Sequence, residues 1–397
     1  MDYHTQTEAM GREIFPDLVR SFAILGIVVV NVAFFAWPGE AGYSDGGITG
    51  AADQAAYFGV NAIALMKSYS LFSMMFGVGL AYQMASAKRR GADFAPRYFR
   101  RMAGLLVLGL AHVFFAFTGD ILIIYAVFGC FLYLFRFTHS DKLRRIGTGF
   151  IVAQVVVMAL FALATFALML APPDIVAEID AEMSAMTPET YAAYRQESFL
   201  AVGLHRLSEY GEYVGFILPI QGLAVFGYFL WGLAAAKSRA IADPTRPGWA
   251  RARRVALPLG LGISAFGAAL MVQADTLFSW QSGVGNFLIA LGAPLSTLGY
   301  LGLIAKWAEC PPSALKTFMA RGGTSTLTAY LLQSLILSWI FSGYGLGLYG
   351  TLGAAPCIAI ALATGLLTLI VTSLIRTRFQ RGPFEWLLRK WTYLGAR

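Results

Sequence analysis

What most limits the possible folds of this chain is a series of long apolar runs separated by polar loops that are mostly short. Ten runs are read, at 18–37, 57–85, 99–117, 120–137, 146–171, 211–236, 254–272, 285–305, 324–342 and 352–375. A helix of ~20 apolar residues crosses a hydrocarbon core ~30 Å thick. Inside that core a backbone satisfies its polar groups only as a helix or a closed barrel, and runs of this length specify helices. The expected fold is therefore all-α: a polytopic membrane helix bundle of about ten transmembrane helices, one integral-membrane domain over 1–397. Composition agrees. The chain is 57% hydrophobic and 13% charged, with a mean hydropathy of +0.63, whereas soluble domains carry about 25% charged residues.

A net charge of +8 would suit a nucleic-acid binder, but the basic residues fall in short clusters between apolar runs. Loops 86–101, 138–145, 237–254 and 306–321 and the tail after 375 are basic, while the intervening loops are acidic or neutral. That alternation excludes a nucleic-acid partner and, by the positive-inside rule, puts both termini in the cytoplasm. Cys130, Cys310 and Cys357 lie in or beside apolar segments, with neither a disulfide framework nor a metal-binding spacing. No small-residue cleavage site follows the first apolar run, which reads as an uncleaved span. The loop at 172–210 is expected to form short outer helices, with Thr187-Pro188-Glu189 as a helix start, serving either as a rim or as a spacer. In the tail, Phe384, Leu387, Leu388 and Trp391 recur at helical spacing. They predict an amphipathic helix over 383–393 lying on the inner membrane interface.

Ionisable groups within apolar runs are costly, at least ~2.5–3.5 kcal/mol at the bilayer centre, so each needs a partner or a task. Asp17, Arg20 and Asn31 share one face of the first run. They either cap, snorkel and pack, or assemble a polar inner site. Lys67 follows an outer loop and is expected to be exposed. Ser70, Ser73, Gly77 and Gly79 read as a close helix contact. The third run holds His112, eleven residues beyond Arg101 and therefore on the same helix face, ~17 Å deeper into the membrane. A short hairpin then returns to Asp120 and Tyr125. A carboxylate that can orient an imidazole is what general-base chemistry requires, while a buried neutral histidine held by one hydrogen bond is the bland alternative. His205, at the end of the outer loop, is the second choice. Thr328, Tyr330, Gln333 and Ser334 add polar groups to the ninth run.

Several ordered motifs carry a resemblance. They run from Asp17-Leu18-Val19-Arg20-Ser21-Phe22 through Asn31, Phe72-Ser73, Phe76-Gly77-Val78-Gly79, Arg100-Arg101, Gly109 and His112. Gly119-Asp120-Ile121-Leu122 with Tyr125, Leu327-Thr328 with Tyr330 and Gln333-Ser334, and Gly382-Pro383-Phe384-Glu385 with Arg389 and Thr392-Tyr393 follow. Together they resemble the YeiB-type bacterial membrane proteins, relatives of the heparan-α-glucosaminide N-acetyltransferase-like transmembrane acyltransferases. The chain departs from that pattern at Ser21, Ala329 and around Gly322-Gly323. The resemblance implies a multi-pass protein of the bacterial cytoplasmic (inner) membrane that moves an acyl group, acetyl in the related enzymes, from cytoplasmic acyl-CoA to an acceptor on the outer side. His112 and Asp120 would be catalytic. Arg20, Arg97, Arg100 and Arg101 would hold the acyl-CoA phosphates, and Asp17, Asn31, Tyr125 and Gln333 would line a polar cavity. Membrane lipid and a small-molecule or glycan acceptor, with a sugar, amine or hydroxyl group, are the expected partners; no metal is expected, and a homodimer is left open. A secondary transporter of a small polar or anionic solute is the alternative, favoured by Gly285, Gly292, Pro294 and Gly299 if they break helices. A scaffold without turnover is the third reading.

Overall fold

The computed structural model describes residues 13–38, 43, 46–172, 174, 188–276 and 278–394, and the bundle they form is all-helical. Helices α1 (Ile14–Ala36), α2 (Ala51–Ile63), α3 (Lys67–Arg89), α4 (Phe94–Phe115), α5 (Leu122–Leu134) and α6 (Ser140–Leu168) make up the first half. After the outer segment come α7 (Phe199–Ile217), α8 (Leu223–Lys237), α9 (Pro247–Arg251), α10 (Leu257–Val272) and α11 (Trp280–Glu309). The last four are α12 (Ala314–Gly323), α13 (Thr326–Phe341), α14 (Ala354–Arg378) and α15 (Pro383–Thr392). Among the described residues, eight helical segments are long and apolar enough to cross a membrane. A ninth arises if α12 and α13, bent by 82°, count as one span, and α5 is a shorter apolar helix. Large apolar side chains such as Phe131, Leu134, Leu163 and Phe166 face outward. Water would not tolerate so much of this surface, but lipid does. The protein is a multi-pass membrane protein.

Two expected spans differ in detail. The run at 57–85 is divided: α2 ends at Ile63, and α3 begins at Lys67 after Met66 takes a left-handed φ of 63°. The run at 211–236 extends backward, because α7 continues into α8 through a π-turn at Leu218–Gly222. Lys67, expected to be exposed, is buried. The break in the chain folds the preceding turn over it, and Nζ donates to the Asn61 carbonyl at 3.2 Å. Of the outer segment 172–210, residues 188–194 are helical and α7 begins at Phe199; Thr187 lies outside the described residues.

α3 and α8 cross at the centre with almost no separation. A Cβ on Gly77 would lie 2.0 Å from the Phe229 carbonyl oxygen, and one on Gly232 would lie 1.9 Å from that of Met74. The expected small-residue contact is therefore real at Gly77. Gly79 instead faces the cavity described below. α11 runs unbroken through Pro294, and its Gly285 and Gly292 pack against α10.

The bend between α12 and α13 has an identifiable cause. The start of α1 occupies the space beside Gly323, where any Cβ would meet the Asp17 carbonyl oxygen at 1.8 Å. Ser21 Oγ donates to the Met319 carbonyl on the same contact, so the serine at that position ties α1 to α12. α15 then folds back across this end. Leu388 and Thr392 are buried, while Trp386, Leu387 and Trp391 stay on the surface, as an amphipathic interfacial helix requires.

Candidate functional site

The end of the bundle that gathers the start of α1, the start of α4, the α12–α13 bend and α15 encloses a cavity of about 870 Å³. That lies at the upper end of the range for small-molecule sites, ~300–1,000 Å³. Six arginines line it: Arg20, Arg101, Arg376, Arg378, Arg381 and Arg389, against the single carboxylate of Glu385 among the described lining residues. That carboxylate is already engaged, accepting the Thr328 backbone N–H at 3.1 Å and the Thr328 hydroxyl at 2.5 Å. The bond ties α15 to α13 and holds the arginines of the α14–α15 connection over the cavity. Arg376 is fixed in turn, with Nε donating to Thr324 Oγ1 at 2.6 Å. Arg20 pairs with buried Asp17 at 3.0 Å. The cavity is thus rich in guanidinium donors, whose planar geometry matches phosphate and carboxylate oxygens.

The lining also includes Phe72, Phe76, Leu105, Leu122, Tyr125 and Tyr330. Tyr125 is fixed by Ser73, with 2.6 Å between the two hydroxyl oxygens. The Tyr330 ring marks the boundary: it lines the cavity and also packs against His112, with 4.8 Å between ring centroids. His112 is buried, and its Nδ1 stands 2.7 Å from Asp120 Oδ2. Asp120, also fully buried, accepts the Ile123 backbone N–H through Oδ1 at 2.9 Å and so caps the start of α5. The hairpin can come this close because residue 109 has no side chain. A Cβ there would lie 2.8 Å from Asp120 Oδ1 and 2.9 Å from the Ile123 nitrogen.

A carboxylate only accepts, so Nδ1 carries the proton of the neutral ring, and the lone pair is on Nε2. Nε2 is buried and has no hydrogen-bond partner among the described residues. Most buried polar atoms are satisfied, so an unpartnered basic nitrogen beside a cavity marks a chemically available group. Among the described residues, no three His, Cys, Asp or Glu side chains converge as a metal site would need.

The residues singled out from the sequence divide into those that meet here and those that do not. His112 and Asp120 form the expected pair across the hairpin, and Arg20, Arg101 and Tyr125 line the cavity. Arg97 and Arg100 instead turn to the end of α15. The Arg97 guanidinium lies 5.1 Å from the Tyr393 ring centroid, and Arg100 donates to the Leu394 carbonyl. Asp17 supports Arg20 from behind. Gln333 donates to Thr368 Oγ1 at 3.1 Å, away from the lining, and Asn31 is half-buried on α1 and likewise absent from it. His205 Nε2 lies 2.9 Å from Glu209 Oε1 on α7. The sequence reading does not place the four arginines after residue 375 at the site: Arg376, Arg378 and Arg381 read as topology signals, and Arg389 also as part of the motif with Glu385. The available clue is that motif itself, in which Glu385 stands four residues from both Arg381 and Arg389.

Fold and site together define an all-helical, multi-pass membrane protein with a buried histidine–carboxylate pair beside an arginine-lined cavity. "Uncharacterized protein YxaH" of Bacillus subtilis (strain 168) is 30% identical over 403 residues, spanning 96% of this chain and 94% of that one. "Uncharacterized protein YeiB" of Escherichia coli (strain K12) is 28% identical over 404 residues, 98% of each. The family model described as "Protein of unknown function (DUF418)" matches residues 235–395, from the end of α8 through α15. This chain belongs to that YeiB-type family. No solved structure matches it significantly.

Proposed function

We propose that the protein is a transmembrane acyltransferase, taking an acyl group from acyl-CoA at the arginine-lined cavity and passing it to an acceptor arriving from the opposite side. In this reading the membrane is the bacterial cytoplasmic one, and the basic end faces the cytoplasm. The observation that carries the reading is the unpartnered, buried Nε2 of His112, whose ring is held by Asp120 one side and contacts the cavity wall on the other.

Arg101, Arg376, Arg378, Arg381 and Arg389 bind the phosphates of the substrate, with Arg20 held ready by Asp17. The apolar lining at Phe72, Phe76 and Leu105 takes the thin pantetheine arm and brings the thioester toward Tyr125 and Tyr330. His112 Nε2 removes the proton of the acceptor hydroxyl or amine as the new C–O or C–N bond forms. The thioester C–S bond then breaks, and the imidazolium returns the proton to the departing thiolate. Asp120 stabilises the imidazolium and fixes the tautomer that can act. The glycines that would suit a transporter's broken helices serve close packing of the continuous α11 instead.

The test is acetyl-CoA binding and turnover by the purified full chain in lipid nanodiscs. General-base catalysis contributes ~10²–10⁴-fold, so His112→Ala should lose turnover by that much while acetyl-CoA affinity stays near wild type. Asp120→Asn should lose less. Wild-type turnover in His112→Ala removes the base assignment, and no binding of acetyl-CoA by the wild type removes the whole reading.

A further inference from the structure

Arg206 on α7 is the largest fully buried side chain among the described residues, 2% exposed. Arginine is rarely buried without a partner of opposite charge, because the desolvation penalty is several kcal/mol. Here the partners are neutral. Nη2 donates to Ser338 Oγ at 2.7 Å, Ser342 Oγ at 3.0 Å and the Tyr344 hydroxyl at 3.3 Å. The guanidinium also lies 5.6 Å and 5.8 Å from the Tyr194 and Tyr344 ring centroids. Nη1 is buried and has no hydrogen-bond partner among the described residues. Glu209, one turn along the same helix, is committed elsewhere: to the Tyr194 hydroxyl at 2.8 Å and to His205 at 2.9 Å.

The position of this cation connects it to the site above. Gly203, three residues before Arg206, packs against Phe114 of α4, two residues past His112. Tyr194, whose ring the guanidinium approaches, reaches the Thr118 hydroxyl at 2.9 Å, in the hairpin that carries Asp120. Farther along α7, the Tyr210 hydroxyl is another buried polar atom with no hydrogen-bond partner among the described residues. α7 therefore presents a polar wall to the far side of the His112–Asp120 pair, opposite the arginine-lined cavity.

We infer that Arg206 is a docking group for an oxyanion, a carboxylate or a phosphate, carried by the acceptor. Tying α7 to the end of α13 would need only a neutral donor; Glu209 reaches this cation only through Tyr194 and makes no direct ion pair with it, so the unused guanidinium nitrogen is left to offer a charge-assisted bond to an anion. The site is closed to water in this state, so binding is coupled to movement of Tyr194 or Tyr344. The inference deepens the acyltransferase reading and rests on it for the word acceptor; the anion site itself does not.

The experiment measures binding of three probes to the full chain in nanodiscs: methyl β-D-glucuronide, glucose 6-phosphate and methyl β-D-glucoside. Arg101→Ala/Arg381→Ala, Arg206→Gln and Arg206→Lys are compared with wild type. One of the two anionic probes should bind at least ~10-fold more tightly than the neutral glucoside, as a charge-assisted contact in a dry site requires. That preference should survive in Arg101→Ala/Arg381→Ala, vanish in Arg206→Gln and persist in weakened form in Arg206→Lys. Which anion wins identifies carboxylate or phosphate. No preference over the glucoside in wild type overturns the inference whether or not Arg206→Gln folds, and so does a preference that is abolished in the cavity variant or kept in Arg206→Gln. Acetyl-CoA binding, run in parallel, separates the two claims: its absence beside intact anion binding sinks the acyltransferase reading alone.

Discussion

Replacing Gly109 with alanine tests whether the contact between α4 and the Asp120 hairpin sets the geometry of the histidine pair. The added methyl would sit 2.6 Å from Ile123 Cγ1, 2.8 Å from Asp120 Oδ1 and 2.9 Å from the Ile123 backbone nitrogen. An ordinary carbon contact needs ~3.5–4.0 Å, so the hairpin has to move by most of an ångström. The side chain of Ile123 can rotate, but the Ile123 nitrogen is backbone at the capped start of α5, and it moves only if Asp120 moves with it. Overpacking of this kind costs ~1–3 kcal/mol of stability. The functional cost is of similar size in free energy but reads directly as rate, because a displacement near 1 Å in a catalytic constellation can lower rate ~100-fold. The assay is thermal unfolding in detergent together with acetyl-CoA turnover and binding. The expected pattern is a modest drop in Tm, a large drop in turnover and little change in acetyl-CoA affinity. Wild-type turnover with unchanged Tm would refute the argument, since it would mean that the helices part without disturbing the 2.7 Å contact between His112 and Asp120.

Two further predictions concern the frame of the cavity. Glu385→Gln keeps the shape but loses the charge on the bonds to Thr328, a charge-assisted contact worth ~1.5–3 kcal/mol; α15 should become more susceptible to protease and acetyl-CoA affinity should fall, and unchanged proteolysis would show that α15 is held by packing alone. A cysteine at Gly50 or Glu197 should react with an impermeant thiol reagent from outside intact cells, whereas one at Arg90 or Thr245 should react only after lysis; the reverse pattern would invert the assigned orientation.

Much of the frame was legible in the sequence because membrane insertion converts apolar length directly into helices, and a helix fixes which residues share a face. Arg101 with Leu105 on the cavity and His112 behind Tyr330 follow from that periodicity, and Asp120 reaches His112 because the hairpin is too short to take it elsewhere. What hydropathy does not encode is which helices become neighbours. The arginines after residue 375 join the cavity only through a contact between Glu385 and Thr328, 57 residues apart. Arg206 finds its hydroxyls more than 130 residues away, on and after α13. Lys67 looked like a loop residue because no pattern foretold the left-handed turn at Met66 that buries it. Arg100 belongs to the same cluster as Arg101, but successive helical residues diverge by ~100°, so it turns to the outer rim; Arg97 shares the face of Arg101 but lies one turn farther out, where the Tyr393 ring meets it.

The contact of α15 with α13 also has a meaning in time. Chains are made and folded from the N-terminal side first, so α1 to α14, with His112 and Asp120 already facing each other, are complete before Arg381, Glu385 and Arg389 have been added. Until that stretch arrives and Glu385 closes on Thr328, the basic end stands open and lacks two of its six arginines, Arg381 and Arg389. A chain synthesised only as far as α14 can therefore enter the membrane before its arginine-lined cavity has closed, and the cavity takes shape only after the spans around it.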